Sequence, residues 1–260
     1  MKHLIYLSYL GTDYSGFQVQ PNAKTVQAAL QHAATKIFDT ACGVSGCSRT
    51  DSGVHANEYI AVIEEHGTTK IPETVIPRAI NTYLPKDISV FKSIHVADDF
   101  KIRHNIDGKE YMYFIWNDPY RNPFLLDRAL YYPKKLNLDA MRKAAPYLIG
   151  KHDFRAFMAS GSDVIDTVRN ITDIRIETDG EAVKIFVSAD GFLYNMVRII
   201  VGTLLEISEG KISEDQLKSA IESGKRELAG RTAPAEGLYL NRVFLNSNVK
   251  AIAEEETVRE

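Results

Sequence analysis

The sequence predicts an α+β fold: two split-βαβ halves, each of order β-α-β-β-α-β, with mixed or antiparallel sheets around a central cleft. Three observations predict it. Segments of strand-like and helix-like apolar spacing succeed one another in that order, and the order occurs twice. The strongest hairpin signal, Asp179-Gly180, falls between two strand-like segments of the second series. The length of 260 residues is too great for one small module and suits one large domain or two medium halves.

In the first series, "HLIYLSYLG" reads as a strand. "TVQAALQHAATKIF" reads as a helix that Thr25 can cap, with Val26, Ala29, Leu30, Ala33 and Ile37 at helical spacing. "CGVSGCS" and "EYIAVIEE" read as strands flanking a loop centred on Asp51. "PETVIPRAINTYL" is a helix that Pro77 keeps short, and "DISVFKSIHV" is a strand. In the second series "KEYMYFIWN" is a strand, and "LDAMRKAAPYLIG" is a helix with Asn137 as its cap. "NITDIRIET" and "EAVKIFVSA" form the hairpin, and "FLYNMVRIIVGTLLEI" is a helix. "SEDQLKSAIESG" is another, with a capping box from Ser213 to Gln216 and Gly224 at its end. "GLYLNRVFL" closes the series as a strand. The halves are expected at residues 1–99 and 100–246, followed by an acidic, disordered tail over 247–260.

Composition excludes several classes. Hydrophobic content of 45% and charged content of 25% are ordinary for a globular protein. Two cysteines, Cys42 and Cys47, make neither a disulfide framework nor a zinc-type pair of pairs, which suggests a reduced, cytoplasmic chain. The most apolar run, "GFLYNMVRIIVGTLLEI", is too short for a membrane span and contains Asn195 and Arg198. Net charge is −3, and the last seven residues hold four acids and one arginine, so the body is formally neutral. A neutral body argues against indiscriminate polyanion binding but allows local phosphate-binding patches. Candidates are Lys134-Lys135, Arg142-Lys143 and Arg121 with Arg128, although the plainer reading of each is a solvated face. Walker A, dinucleotide and G-x-S-x-G signatures are absent. The seven histidines (His3, His32, His55, His66, His95, His104, His152) show no ligand spacing, so neither metal nor cofactor is expected.

Two residues look out of place. Asp51, in "GCSRTDSGVHAN", follows a run of small residues and precedes the turn signal Ser52-Gly53. The loop would hold its carboxylate at the tip, although an aspartate there also serves simply to cap a turn. Arg198 interrupts the most apolar helix, on one stripe with Asn195 and Gly202. A glycine inside a helix costs roughly 1 kcal/mol against alanine, so Gly202 suggests a close approach by another segment. A guanidinium on a buried helix wants a carboxylate or phosphate partner, unless it snorkels to solvent. An arginine beside Asp51 would keep that acid ionised, as a carboxylate nucleophile requires. Tyr111 and Tyr113 share one face of their strand, as core residues or as a stacking platform for a base.

"SRTDSGVHA" closely resembles the Gly-Arg-Thr-Asp-Ala-Gly-Val-His-Ala signature of the tRNA pseudouridine synthase A family. "GTDYSGFQVQ" with "TVQAAL", "DDFKIRH", "KEYMYFIWN", "GKHDFRAF", "GFLYNMVRIIVGTL" and "APAEGLYL" resemble further family segments in the family's order, from about residue 4 to residue 245. The resemblance implies the pseudouridine synthase fold, with ferredoxin-like halves, and conversion of uridine to pseudouridine in the anticodon arm of tRNA. It implies that Asp51 is the catalytic nucleophile and that Arg49 helps extrude the target base. Tyr111 would stack on that base, Arg198 would pair with the aspartate, and Leu238 would pack near the base. It also implies a cytoplasmic homodimer that binds tRNA, with no cofactor, no metal and no membrane. Departures are Ser48 for the usual glycine, Ser52 for alanine, and Phe17 where many members carry tryptophan. A paralogue acting on another structured RNA is an alternative. A non-catalytic RNA-binding protein on the same scaffold is another, though binding alone would not need Asp51, Tyr111 and Arg198 together. A glycosidase would need a second acid opposite Asp51, and the sequence offers none at a legible place.

Overall fold

The computed structural model describes residues 1–67, 71–161, 164–247 and 249. It is an α+β structure, and by its internal packing the chain divides into two units. The first comprises Met1–Asp107 and the chain from Leu240 onward; the second is Gly108–Tyr239.

The first unit runs β1 (Lys2–Tyr9), α1 (Val26–Phe38), β2 (Gly43–Gly46), β3 (His55–Glu64), α2 (Ile76–Asn81) and β4 (Ile88–Val96). This is the expected βαββαβ order. Its sheet is antiparallel, with β1 between β4 and β3 and with β2 on β3. The helix α1 starts where its cap predicts: the Thr25 Oγ1 accepts from the Ala28 N–H at 3.4 Å, satisfying one of the orphan donors of the first turn. Its buried stripe is Val26, Leu30, Ala33, Ala34 and Phe38, while Ala29 and Ile37 lie at the edge of that stripe. The segment read as one helix from Pro72 is a 3-10 turn, Glu73–Val75, followed by α2. Pro77 sits in the first turn of α2, where its missing N–H costs nothing.

The second unit contains β5 (Ile106–Trp116, all but its first two residues), β6 (Leu130–Tyr131), α3 (Leu138–Ala144) and β7 (Gly150–Asp153). It continues through β8 (Val168–Asp179), β9 (Ala182–Ala189), α4 (Met196–Ser208) and α5 (Glu214–Ser223) to the start of β10 (Leu238–Leu245). Its strands lie in the order β5-β9-β8-β7, antiparallel, while β6 pairs parallel with β5. The short strands β6 and β7 carry no alternation long enough to read. The Asn137 Oδ1 caps α3 by accepting from the Ala140 N–H at 3.1 Å. The Ser213 Oγ caps α5 by accepting from the Gln216 N–H at 3.1 Å, and Gly224 ends that helix at φ +67°. The hairpin forms, but its turn lies one residue later than read. Asp179 still pairs with Ala182, so Gly180 (φ +56°) and Glu181 make the connection. The helix α4 also begins later than read, at Met196. Asn195 takes a left-handed φ of +59°, and the Tyr194 carbonyl accepts from the Ala159 N–H at 3.1 Å instead of from a helical partner. Most of the tail expected over 247–260 lies outside the described residues; only residues 247 and 249 fall within them.

Candidate active site

In the first unit the loop between β2 and β3 is tied down at several points. The Thr50 carbonyl accepts from the Phe17 N–H at 3.3 Å, and its hydroxyl bonds the Tyr9 hydroxyl at 2.8 Å. The Tyr14 carbonyl accepts from both the Gly53 N–H (3.2 Å) and the Ser52 Oγ (3.3 Å). The Val54 N–H donates to the Asp51 carbonyl at 3.2 Å, closing a tight turn with Ser52-Gly53 at its centre and Gly53 at φ +77°. Asp51 therefore opens a fixed turn, with its side chain half-buried. Ser52, the departure from the family pattern, supplies one of the tethers.

The loop lies directly on the Gly11–Phe17 segment. A β-carbon at Gly11 would meet the Val54 carbonyl oxygen at 2.0 Å, and one at Gly16 would meet the Thr50 oxygen at 2.4 Å. His55, fully buried, accepts from the Gly11 N–H at Nδ1 (2.9 Å), so its proton resides on Nε2. Its role here is to hold the loop's exit. Phe17 stacks on Tyr59 with centroids 4.2 Å apart, and the Tyr59 hydroxyl donates to the Ser48 carbonyl at the loop's entry.

Arg49 is exposed and borders a cavity of about 440 Å³ in the same unit. Its other cations are Lys2, Lys101 and Arg103; His104 and the acid Glu64 also line it, with Phe17 and Phe100 among its apolar walls. Lys101 and Arg103, within "DDFKIRH", lie outside the basic patches that charge alone suggests, and nothing in that segment marks a cavity. Of those patches, Lys134 is engaged by Glu209 at 3.3 Å and Arg121 lies over the Tyr131 ring at 4.7 Å.

In the second unit, Arg198 stands half-buried on α4 with Asn195 and Gly202 on its stripe, as the spacing predicted. Its Nε donates to the Ala233 carbonyl at 2.6 Å and its Nη1 to the Asn195 Oδ1 at 2.7 Å. The Ala233 N–H returns a bond to the Arg198 carbonyl at 3.0 Å. The close approach that Gly202 suggested is this same strap of chain: a β-carbon there would meet the Arg231 oxygen at 1.8 Å. One residue beyond Ala233, the Pro234 carbonyl accepts from the Tyr113 hydroxyl at 2.8 Å. Burial is the main reason the Tyr113 hydroxyl is held far above the ordinary tyrosine range. Tyr111, two residues back and on the same face of β5, is buried and meets Phe192 edge-on at 5.0 Å. Leu238 is buried at the start of β10, next to Gly237, whose close packing on the Tyr113 ring leaves no room for a β-carbon. The strap 230–238 thus joins the arginine of α4 to the tyrosine face of β5 and leads into Leu238. The strap's carbonyls, and the bond of Tyr113 to one of them, are the parts that residue reading missed; a strand tyrosine in an alternating pattern carries no mark of its partner.

The fold is α+β with a ferredoxin-like first unit, and the tethered loop between β2 and β3 presents one carboxylate. The family model for tRNA pseudouridine synthase matches residues 5–105 and 144–245, and the chain belongs to this family. It is 45% identical over 240 residues to tRNA pseudouridine synthase A 2 of Clostridium perfringens, covering 92% of this chain and 97% of that protein. It is 45% identical over 241 residues to tRNA pseudouridine synthase A of Acetivibrio thermocellus (92% and 98%), and 41% identical over 249 residues to that of Bacillus pumilus (95% and 100%). No helix among the described residues is long and apolar enough to cross a membrane.

Proposed function

We propose that this protein isomerises uridine to pseudouridine in the anticodon arm of tRNA, with Asp51 as nucleophile. The observation that carries the reading is the tethered loop from Ser48 to Val54, in a chain of this family, with its single acid at the turn. In the reaction the C1′–N1 bond breaks, N1 leaves with the electron pair, and the bond that the Asp51 carboxylate forms to the nucleoside is broken again, which returns the carboxylate. The uracil turns, C5 bonds to C1′, the C5 proton passes to solvent and N1 takes up a proton. Oxidation state is unchanged, so the step needs neither redox cofactor nor nucleotide.

The base must leave its stack to meet a side chain, at a cost of a few kcal/mol. Arg49 would help extrude it and Tyr111 would stack on it, a contact worth roughly 1–3 kcal/mol. Leu238 would pack against it. Arg198 would pair with Asp51 and keep it ionised. Asp51 and Arg198 belong to different units, and their pairing is proposed from the sequence. The cations around the cavity beside Arg49 support phosphate binding on the first unit. A cytoplasmic homodimer belongs to the same proposal.

The test uses tRNA labelled with tritium at uridine C5. Asp51→Ala is expected to release no label while its Kd for tRNA stays within a few-fold of the parent. Full release by that variant would remove Asp51 from the mechanism.

A further inference from the structure

We propose that the first unit carries a site for a divalent transition metal of the zinc class, formed by His3, Glu73 and His95. The three come from separate elements. His3 lies on β1 and His95 directly opposite it on β4, in register. Opposed residues of an antiparallel pair project to the same face, so the two imidazoles emerge together. Their ring centroids are 6.1 Å apart. Glu73 comes from the 3-10 turn ahead of α2 and brings its Oε2 to 2.9 Å from the His3 Nδ1. One donor atom from each residue lies within 4.8 Å of the other two.

The arrangement has features of a binding site beyond proximity. Glu73 is oriented from behind, since the Ser93 Oγ donates to its Oε1 at 2.5 Å. Ligating carboxylates are held by such outer hydrogen bonds. His3 is buried, with its ring stacked on Phe38 at 5.1 Å and 16°. Its Nε2 is buried and has no hydrogen-bond partner among the described residues. A ligand role therefore falls to Nδ1, the ring nitrogen that already faces the Glu73 carboxylate. His95 is exposed, which gives the ion an entry path and a mobile third ligand.

Two imidazoles and a carboxylate make the donor set of zinc sites that keep one position for water. Metal–ligand bonds of about 2.0–2.1 Å require donors about 3.3 Å apart. The His3–Glu73 pair is already near that spacing, and the exposed His95 can close the rest by turning about its side-chain bonds. The ion takes the place of the proton shared by the His3 Nδ1 and the Glu73 Oε2, and that proton goes to solvent. The site involves no residue assigned to the isomerisation, and it stands or falls separately from that reading.

The test titrates the full-length, untagged chain with Zn²⁺ by calorimetry, and with Co²⁺ by visible absorption. One ion per chain is expected, with the d–d bands of a nitrogen- and oxygen-ligated tetrahedral site. His95→Ala removes the exposed ligand and is expected to weaken binding about ten-fold or more, leaving the metal-free unfolding midpoint unchanged. Glu73→Gln is expected to weaken binding similarly. Failure to take up either ion at micromolar concentration overturns the site, as does uptake undiminished in both variants. Thiolate-to-cobalt bands in the near ultraviolet also overturn it, because they would place the ion on Cys42 or Cys47.

Discussion

The loop that carries Asp51 depends on residues that themselves do no chemistry. Gly46 is the sharpest case: a β-carbon there would lie 2.1 Å from the Tyr59 Oη and 2.5 Å from the Phe17 ring. Gly46→Ala must push the Phe17–Tyr59 stack aside, and overpacking of this kind costs about 1–3 kcal/mol. Tyr59 also holds the Ser48 carbonyl, so turnover should fall along with the midpoint of urea unfolding. An unchanged midpoint would show that the stack yields freely. Thr203 plays a like part in the second unit. Fully buried, its hydroxyl donates to the Ile199 carbonyl at 2.7 Å and accepts from the Gly230 N–H at 2.8 Å. Thr203→Val keeps the shape and strands a buried donor, at a cost of about 1–3 kcal/mol in denaturant unfolding. Neither role was legible in the sequence. Gly46 stands among small residues and Thr203 inside an apolar helix, and nothing nearby names Tyr59 or Gly230 as the partner.

At the scale of elements, α4 separates two opposing effects. Alanine at position 202 would favour the helix by roughly 1 kcal/mol on propensity alone. Its β-carbon would also overlap the Arg231 oxygen at 1.8 Å, and backbone cannot yield as a flexible side chain does. The overlap wins, so Gly202→Ala is expected to lower stability and, by displacing the strap that bonds Arg198, to lower kcat. A more stable and fully active variant would show that the strap is free to move. The cap of α5 gives the opposite, purely local case. Ser213→Ala should cost about 1 kcal/mol and speed hydrogen exchange at the Gln216 amide. Caps at Thr25, Asn137 and Ser213 were readable because a cap oxygen and the backbone N–H that donates to it lie three residues apart. The start of α4 was not, because the bond that occupies the Tyr194 carbonyl comes from Ala159.

At the scale of the molecule, acid stability has a definite sign. Glu209 follows α4 and faces Lys211, Tyr132 and Lys134. The Lys211 ammonium foremost, then the Tyr132 hydroxyl, holds its carboxyl down to about 2. A depressed carboxylate stabilises the fold above its unfolded value of about 4.3, and that contribution is lost as pH falls towards 2. Glu209→Gln should therefore unfold more readily than the parent at pH 7, and the two should converge near pH 2. A constant difference across that window would place the effect elsewhere. For the proposed pairing of Asp51 with Arg198, a double-mutant cycle on turnover should be strongly non-additive, since removing either partner already disables the pair. Additive losses would refute the pairing.

What the sequence determined by itself was the order of the longer elements, the helix caps, the tight turn at Asp51 and the membership of a family whose motifs run in order along the chain. These signals act over a few residues, through apolar period and hydrogen bonds to near neighbours. The tertiary structure decided which distant groups share a surface. It set the strap against Gly202 and gathered Lys2, Arg49, Lys101 and Arg103 around one cavity. It also brought His3, Glu73 and His95 together through strand register. Register and packing are fixed by burial across the whole sheet, so no window along the chain contains them.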